Sequence, residues 1–378
     1  MCNIIQNCQM MLRWLTLLPV CLLFCVAVSA QQKTSLFKKA TRWLEAENDS
    51  NYIEEHTKDI TFRVFGSRKY NNYDIVDNGI VDGSITDNGL VNSKNSKEVL
   101  YRPNTPFNVG VGVNYRFIAV NIAFNLPAIN KDKGEYGKTK MLDLQTHIYT
   151  RKLVVDFYGQ IYEGYYIANT RRLINSFGSN AGSNNVEMIR PDAKNVNLGL
   201  NVQYVFNAKR FSYRAAYLQN DYQKKSAGSF LVGGEVFGVR MKGDSGLIPS
   251  YIQKTGFFNG ENFYRTRIFS GAANAGYAHT FVYKQHWFTT LSFSGSLGVN
   301  YTVMNRINQV DLKKAGIQFN NNIRVSLGYN SSRYFAGIHY VYLTTRSQSP
   351  VPDTYQTMGA GNFRISLARR FTLKKQLF

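Results

Sequence analysis

One stretch limits what this chain can fold into more than any other: His286–Val303, HWFTTLSFSGSLGVNYTV. Every second residue from Trp287 to Val303 (Trp287, Thr289, Leu291, Phe293, Gly295, Leu297, Val299, Tyr301, Val303) makes one apolar face. The alternate face carries Thr290, Ser292, Ser294, Ser296, Gly298, Asn300 and Thr302, with Phe288 its apolar member. A period of two describes a strand with one greasy and one polar surface. The aromatics stand near both ends with aliphatics between them, the pattern of a lipid-facing strand. At about 3.3 Å per residue and a tilt of about 40°, Trp287 and Tyr301 bracket about 35 Å of height, more than the ~25 Å apolar band of a membrane barrel. Trp287 and Tyr301 are therefore expected at the two membrane interfaces.

The pattern repeats along the chain. Ile60–Phe65 is a short first strand, and Phe107–Phe117, Val120–Leu126, Leu142–Ile148 and Leu153–Ile161 alternate in the same way. Val196–Phe206 sets its apolar residues against Asn195, Asn197, Asn201 and Gln203, and Phe211–Tyr217 follows as the next strand. Ile317–Tyr329 opposes Gln318, Asn320, Asn322, Arg324 and Ser326, and Tyr334–Thr345 and Met358–Phe371 complete the set. Short connections near Arg116–Ala119, Thr150–Lys152, Asn207–Arg210, Lys284–His286 and Asn330–Arg333 alternate with long ones at 66–96, 127–139, 168–193, 223–262, 304–315 and 346–357. Bacterial barrels keep short turns in the periplasm and long loops outside. The expectation is an all-β, transmembrane, up-and-down antiparallel β-barrel of about twelve strands, with both termini periplasmic. Phe230–Val239 reads either as a hairpin within the large 223–262 loop or as an extra pair of strands, which would make it fourteen.

The totals agree once alternation is allowed for. Mean hydropathy is −0.28, as expected where lipid-facing and lumen-facing residues cancel. No apolar run after residue 30 approaches the ~20 residues of a membrane helix. Before it, Arg13, the apolar Leu15–Val28 and the small residues Val28-Ser29-Ala30 spell a signal peptide cleaved after Ala30. All four cysteines fall within it, so the mature chain has neither disulfides nor thiol chemistry. Cys21 and Cys25 follow Val20 and Phe24, which disfavours lipidation. The expected layout is a signal peptide (1–30), a periplasmic segment (31–58) with a short amphipathic helix at Ser35–Glu47, the barrel (59–371) and a basic tail (372–378). Export plus a barrel places the chain in a Gram-negative outer membrane.

A net charge of +21 suggests nucleic acid, but export and the lack of any long basic run exclude that partner. The charge gathers instead on the tight turns (Arg116; Arg151, Lys152; Lys209, Arg210; Lys284; Arg333), a rim suited to anionic head groups. Expected partners are outer-membrane lipids and lipopolysaccharide, with the barrel-assembly machinery reading Phe371 or Phe378 during biogenesis.

Several ordered stretches carry a family likeness: Tyr101-Arg102-Pro103-Asn104 before Gly110-x-Gly112-x-x-Tyr115; Gly137-Lys138-Thr139 before Asp143-x-Gln145; Tyr158-x-Gln160-x-Tyr162-x-Gly164; Arg190-Pro191-Asp192; Phe211-Ser212-Tyr213-Arg214; Gln223–Ser229; and Leu247-Ile248-Pro249. Over about residues 45–371 the chain resembles a domain-of-unknown-function family of outer-membrane barrels from Bacteroidetes-type bacteria. The resemblance implies a fold and a location, and no activity.

Candidate sites are few. The lumen should present Asn195, Asn197, Asn201, Gln203, Asn320, Asn322 and Arg324, polar and mildly basic. Asp143, Gln145 and His147 share an inward face, and are read as lumen filling, with acid–base chemistry as the alternative. Gln223, Lys224, Lys225, Ser226, Gly228 and Ser229 form the most unusual loop. The readings are a Ser–Lys nucleophile, a lysine site for lipopolysaccharide phosphate, and a lumen-folded loop with Gly228 at an unusual backbone angle. Asp74, Asp77, Asp82 and Asp87 are read as turn chemistry rather than a calcium loop. No catalytic residue, metal ligand or cofactor motif is read. The function expected is a non-enzymatic small-solute channel or structural envelope protein; the alternatives are a lipid-acting enzyme, or an adhesin or assembly partner.

Overall fold

The computed structural model describes residues 47–56, 58–78, 97–115, 118–125, 133–177, 187–253 and 256–373. The expected signal peptide, the Ser35–Glu47 helix before Glu47, residues 79–96 of the expected long loop, and Phe378 lie outside the described residues.

Alternation becomes strands: β1 (Ile53–Glu55), β2 (Asp59–Asp77), β3 (Lys97–Arg102), β4 (Phe107–Tyr115), β5 (Ile118–Asn125), β6 (Lys140–Tyr149), β7 (Leu153–Ile167), β8 (Met188–Val205), β9 (Asp221–Gln223), β10 (Ala227–Lys242), β11 (Arg265–Tyr283), β12 (Trp287–Asn305), β13 (Leu312–Asn330), β14 (Tyr334–Gln348) and β15 (Thr354–Thr372). Neighbours pair antiparallel, and β15 returns to β2 from Thr354 opposite Asp77 to Thr372 opposite Asp59, which closes the barrel. The tight connections Thr150–Lys152, Lys284–His286 and Asn330–Arg333 share one end, here the turn end, with the long connection 206–226; the other long connections share the opposite end, the loop end.

The parity is as expected. On β12, Trp287, Leu291, Phe293, Leu297, Val299 and Tyr301 are exposed while Thr290, Ser292, Ser294, Asn300 and Thr302 are buried. A soluble protein would bury that apolar belt; here it faces outward and the polar residues face in.

Three expectations change. The hydrogen-bonded ring has ten strands, β2, β3, β7, β8 and β10–β15, with β4, β5 and β6 outside it. Pro103 and Pro106 bring β3 to its end before β4 begins, because proline cannot donate to a ladder. β3 pairs with the loop-end half of β2 and with β7, while β4 pairs with the turn-end half of β2. Below β3 the wall therefore splits: β5 extends from β4, β6 from β7, and among the described residues no ladder joins β5 to β6. Counted at the turn end, with β4, β5 and β6 in place of β3, the strands number twelve, but they do not form a closed ladder.

Second, Phe211–Tyr217 is not a strand. Tyr213–Tyr217 is a short helix capped by Ser212, whose Oγ accepts from the Ala215 N–H. Five residues cannot separate a period of two from one of 3.6, and Tyr213 and Tyr217 also share a helix face. The strand lies later, as β10, one unbroken element where a loop hairpin was expected. Third, the loop expected from Gly66 starts later. Gly66–Asp77 continues β2 against Ile365–Thr354, unseen in sequence because both its faces are polar.

Candidate functional site

The site is the lumen, which is filled from both ends. At the turn end the chain leaves β8, turns inward and fills the bore with Phe211–Gln223. Phe211, Tyr213, Ala215, Ala216, Tyr217, Leu218, Gln219 and Asn220 are all buried. The walls supply its hydrogen bonds: Tyr213 Oη with Ser292 Oγ at 2.5 Å, Asn114 Nδ2 to Leu218 O at 2.6 Å, Arg370 Nε to Gln219 O at 2.8 Å, and Asn330 Nδ2 to Asp221 O at 3.1 Å. β9 then pairs with β1, so the segment before the barrel clamps the plug. Asp221 is the plug's charged centre, with Arg151 Nη1 at 3.1 Å and Arg214 Nε at 3.3 Å. Burial alone would raise the Asp221 pKa, but these arginines hold it below the ordinary carboxylate range. Burial pushes the Tyr213 and Tyr217 hydroxyls up, so both stay protonated.

At the loop end the cover is apolar. Leu247, Ile248, Ile252, Phe257, Phe258 and Phe263, between β10 and β11, pack on Tyr73, Tyr101, Tyr165 and Val351. Tyr101 Oη donates to Leu247 O at 2.5 Å, and the Phe258 N–H donates to Asp77 Oδ2 at 2.7 Å. Asp74 pairs with Arg102. Asp77 thus serves the cover and Asp74 the junction of β2 with β3, and Asp82 and Asp87 lie outside the described residues.

Between plug and cover runs a polar layer holding the expected lumen residues, all seven buried. Asn195 Nδ2 donates to Asn71 Oδ1 at 3.2 Å, and Asn197 Nδ2 to Gln160 Oε1 at 3.5 Å. Gln203 Nε2 donates to Asn274 Oδ1 at 3.1 Å, and Asn320 bonds Glu235. Asn201 and Arg324 meet on Asp156: Asn201 Nδ2 at 3.1 Å, and Arg324 by an ion pair supported by Tyr149 Oη at 2.6 Å. Asn322 finds no partner for either amide atom. His147 Nδ1 lies 2.7 Å from Asp156 Oδ1, while Asp143 takes Lys69 Nζ and Tyr162 Oη, both at 2.6 Å. Each carboxylate therefore faces partners from other strands.

The lumen is more charged than expected. Asp156, Glu235, Arg63 and Arg364 were missed, although parity alone turns each inward: Arg63 stands between Phe62 and Val64, Arg364 between Phe363 and Ile365. A cavity of about 160 Å³ lies between the plug and the β5–β6 gap, bordered by Arg63, Asn121, His147, Tyr217, His339 and Arg364.

The unusual loop is corrected too. Tyr222 Oη donates to Gln285 O at 3.0 Å and its ring stacks on His286, which puts Gln223–Ser226 at the turn end, among the tight turns. Lys224 and Lys225 therefore stand with the tight turns, and not on a long connection where a lysine site for lipopolysaccharide phosphate was expected. Gln223 is buried, donating to Arg210 O and Lys225 O; Lys225 lies over the Tyr52 ring; and the Ser226 hydroxyl accepts from the Val282 N–H. Gly228 and Ser229 belong to β10; Gly228 has no positive φ, and a Cβ there would meet Tyr277 Oη at 2.3 Å and His279 Nδ1 at 2.5 Å, so it is crowding and not backbone angle that suits glycine.

A lipid hydrolase needs a serine, a base and an orienting acid. Ser326 Oγ lies 2.9 Å from His339 Nδ1, but Nε2 of that histidine meets no partner and the hydroxyl is fully buried. The pair lacks an orienting acid and an open nucleophile. Trp287 and Tyr301 stand exposed near opposite ends of β12, Trp287 edge-on to Tyr329 at 5.6 Å.

An outward apolar belt, an inward polar lumen and a closed antiparallel ring define a membrane-spanning β-barrel protein. Residues 47–371 match the family described as Domain of unknown function (DUF4421), and the chain belongs to it. No curated protein matches. Among solved structures the chain is similar to the outer membrane protease OmpT from Escherichia coli, at 7% identity over 84% of this chain and 98% of that one, TM-score 0.35. It is also similar to the P. putida toluene transporter TodX, at 8% identity over 83% and 91%, TM-score 0.24. A third is OmpT, an outer membrane protein of Vibrio cholerae, at 10% identity over 82% and 99%, TM-score 0.25. Scores this low carry no functional weight.

Proposed function

We propose that this protein is a non-enzymatic, integral outer-membrane barrel whose resting lumen is closed: a structural or ligand-holding envelope protein, and not an open diffusion pore. The observation that carries this reading is the double closure, with Phe211–Gln223 buried at one end and the Leu247–Phe263 cover at the other. A water-filled channel would leave its lining solvated; here Asn195, Asn201, Gln203 and Arg324 are buried and bonded to other inward side chains. Export by the N-terminal signal, cleavage after Ala30, contact with outer-membrane lipids, and assembly read from Phe371 at the end of β15 belong to the same proposal. The tight turns face the periplasm in it.

Planar-bilayer recording of the refolded full-length protein tests the closure. Silence is expected, and stable long-lived open steps would overturn it. Replacing 211–222 by a Gly/Ser linker should then create steps where the natural chain shows none. Protease added to whole cells checks orientation: cleavage should fall within 79–96 and spare Lys284–His286.

A further inference from the structure

Nearly every buried charge of the lumen is matched. Arg324 holds Asp156, Arg151 and Arg214 share Asp221, and Arg370 is bonded to Gln219 O, Asp221 O and Asn330 Oδ1. Arg63 and Arg364 break the rule. Both guanidinium groups lie over the one Phe65 ring, at 5.8 and 4.9 Å from its centroid. Among the described residues neither is ion-paired to a carboxylate. Arg63 spends its terminal nitrogens on amide oxygens of Gln219, Asn114 and Asn121. Its Nε has no partner, and neither has Arg364 Nε.

Both arginines border the cavity of about 160 Å³, and so do three more buried atoms without a partner: His339 Nε2, Tyr217 Oη and Asn362 Oδ1. Buried polar atoms are almost always bonded, so five orphans on one cavity demand a cause. Four of them can donate, since His339 Nδ1 can accept from the Ser326 hydroxyl and leave the proton on Nε2. Two adjacent cations, Arg63 buried and Arg364 half-buried with its Nε inside, and two neutral donors with no acid among them make a complementary surface for an oxyanion. The volume resembles the ~150 Å³ cavity that takes a benzene ring. It suits a head group, not a whole lipid.

The route in is on the page as well. β5 and β6 have no ladder between them, and the cavity is lined by Asn121 of one and Gln145–Tyr149 of the other. Asn121 points inward by parity yet is exposed, whereas inward residues of β8 such as Asn195 and Asn201 are buried. Ile122, Phe124, Leu144 and Ile148 flank the gap on the lipid side. Unpaired strand edges at membrane depth are avoided unless something covers them.

We propose that the Arg63–Arg364 cavity binds the carboxylate or phosphate group of an anionic ligand that enters through the β5–β6 gap. The chemistry is shared by a free oxyanion and by the head group of an anionic amphiphile, and the test separates them. Full-length protein in a neutral detergent is titrated with inorganic phosphate, dodecyl phosphate, dodecanoate and dodecanol, following calorimetry and the unfolding temperature.

At least one of the three anions should bind saturably and raise the unfolding temperature, with dodecanol inert. Arg63→Gln and Arg364→Gln should each weaken it tenfold or more, and Arg369→Gln, exposed on the rim, should leave it unchanged. Tyr217→Phe serves where an arginine variant does not fold: it removes a hydroxyl that bonds nothing in the protein, and should weaken the anion several-fold at unchanged stability. Binding of phosphate itself identifies a free-ion site. Binding of the dodecyl anions alone identifies a lipid head-group site. Absence of saturable binding by any anion, equal binding of dodecanol, or affinity indifferent to Arg63, Arg364 and Tyr217 would overturn the proposal. Bilayer conductance does not enter this test, so its failure and that of the closed-lumen reading are separate results.

Discussion

The barrel has two walls of different construction. From β11 to β13, three strands of 19 residues pair along nearly their whole length, Tyr283 opposite Trp287 through Arg265 opposite Asn305, and then Trp287 opposite Tyr329 through Met304 opposite Leu312. From β4 to β6 the strands have 9, 8 and 10 residues, and the middle junction has no ladder. Backbone hydrogen bonds hold the first wall. Side chains crossing the lumen hold the second: Arg324 of β13 grips Asp156 of β7, and Lys69 of β2 grips Asp143 of β6. The sealed wall is laddered along its length, and the split wall adds charged ties across the lumen to shorter ladders.

The comparison can be broken most sharply at Asp156. Asp156→Ala leaves Arg324 buried without a counter-charge and should cost about 3–5 kcal/mol, read from denaturant unfolding in micelles. Adding Arg324→Met should restore much of that loss. If Asp156→Ala is neutral, the ties do not hold the split wall.

On the sealed wall the vulnerable points are steric. A Cβ at Gly298 would meet Gly271 O at 2.0 Å and Ala272 Cα at 2.5 Å, whereas one at Gly295 meets nothing within 4 Å. Gly298→Ala should therefore cost about 1–3 kcal/mol, and Gly295→Ala, three residues away, should stay within about 0.5 kcal/mol. Equal effects would show that the β11–β12 packing is looser than drawn.

The plug supplies a pH response. The Asp221 pKa is lowered in the folded state by Arg214 and Arg151 against the pull of burial, so its stabilisation is complete above the unfolded carboxylate value of about 3.9 and is lost as pH falls through the lower folded value. Proteolysis at Lys224 or Lys225 by an acid-tolerant protease should rise only below that window. Arg151→Gln should move the onset to higher pH.

The smallest effect is dynamic. Amides on the unpaired edges of Ile118–Asn125 and Lys140–Tyr149 should exchange roughly tenfold or more faster than those of Thr290–Asn300, which are laddered on both sides. Equal protection would mean that the gap is sealed in the membrane.

Much of this was legible residue by residue. The face assignment of His286–Val303, the inward set from Asn195 to Arg324 and the tight turns at Lys284–His286 and Asn330–Arg333 follow from a two-residue period, which local sterics impose on any strand. Arg63, Asp156 and Arg364 were legible by the same rule, because each sits between outward apolar neighbours. The plug was not. Tyr213 and Tyr217 fit a strand face and a helix face equally, and only enclosure by Asn114, Ser292, Asn330 and Arg370, distant in sequence, decides between them.

Alternation by itself determined that this chain is a barrel, which residues meet lipid and which meet the lumen, because the pleat of a strand is a local property. Tertiary structure alone decided that the lumen is filled from both ends, that ten strands rather than twelve complete the ring, and that Arg63 and Arg364 share a cavity without an acid. Those depend on which strands register against which, and on the partners that closing the ring brings together across the bore. No window of neighbouring residues contains that information.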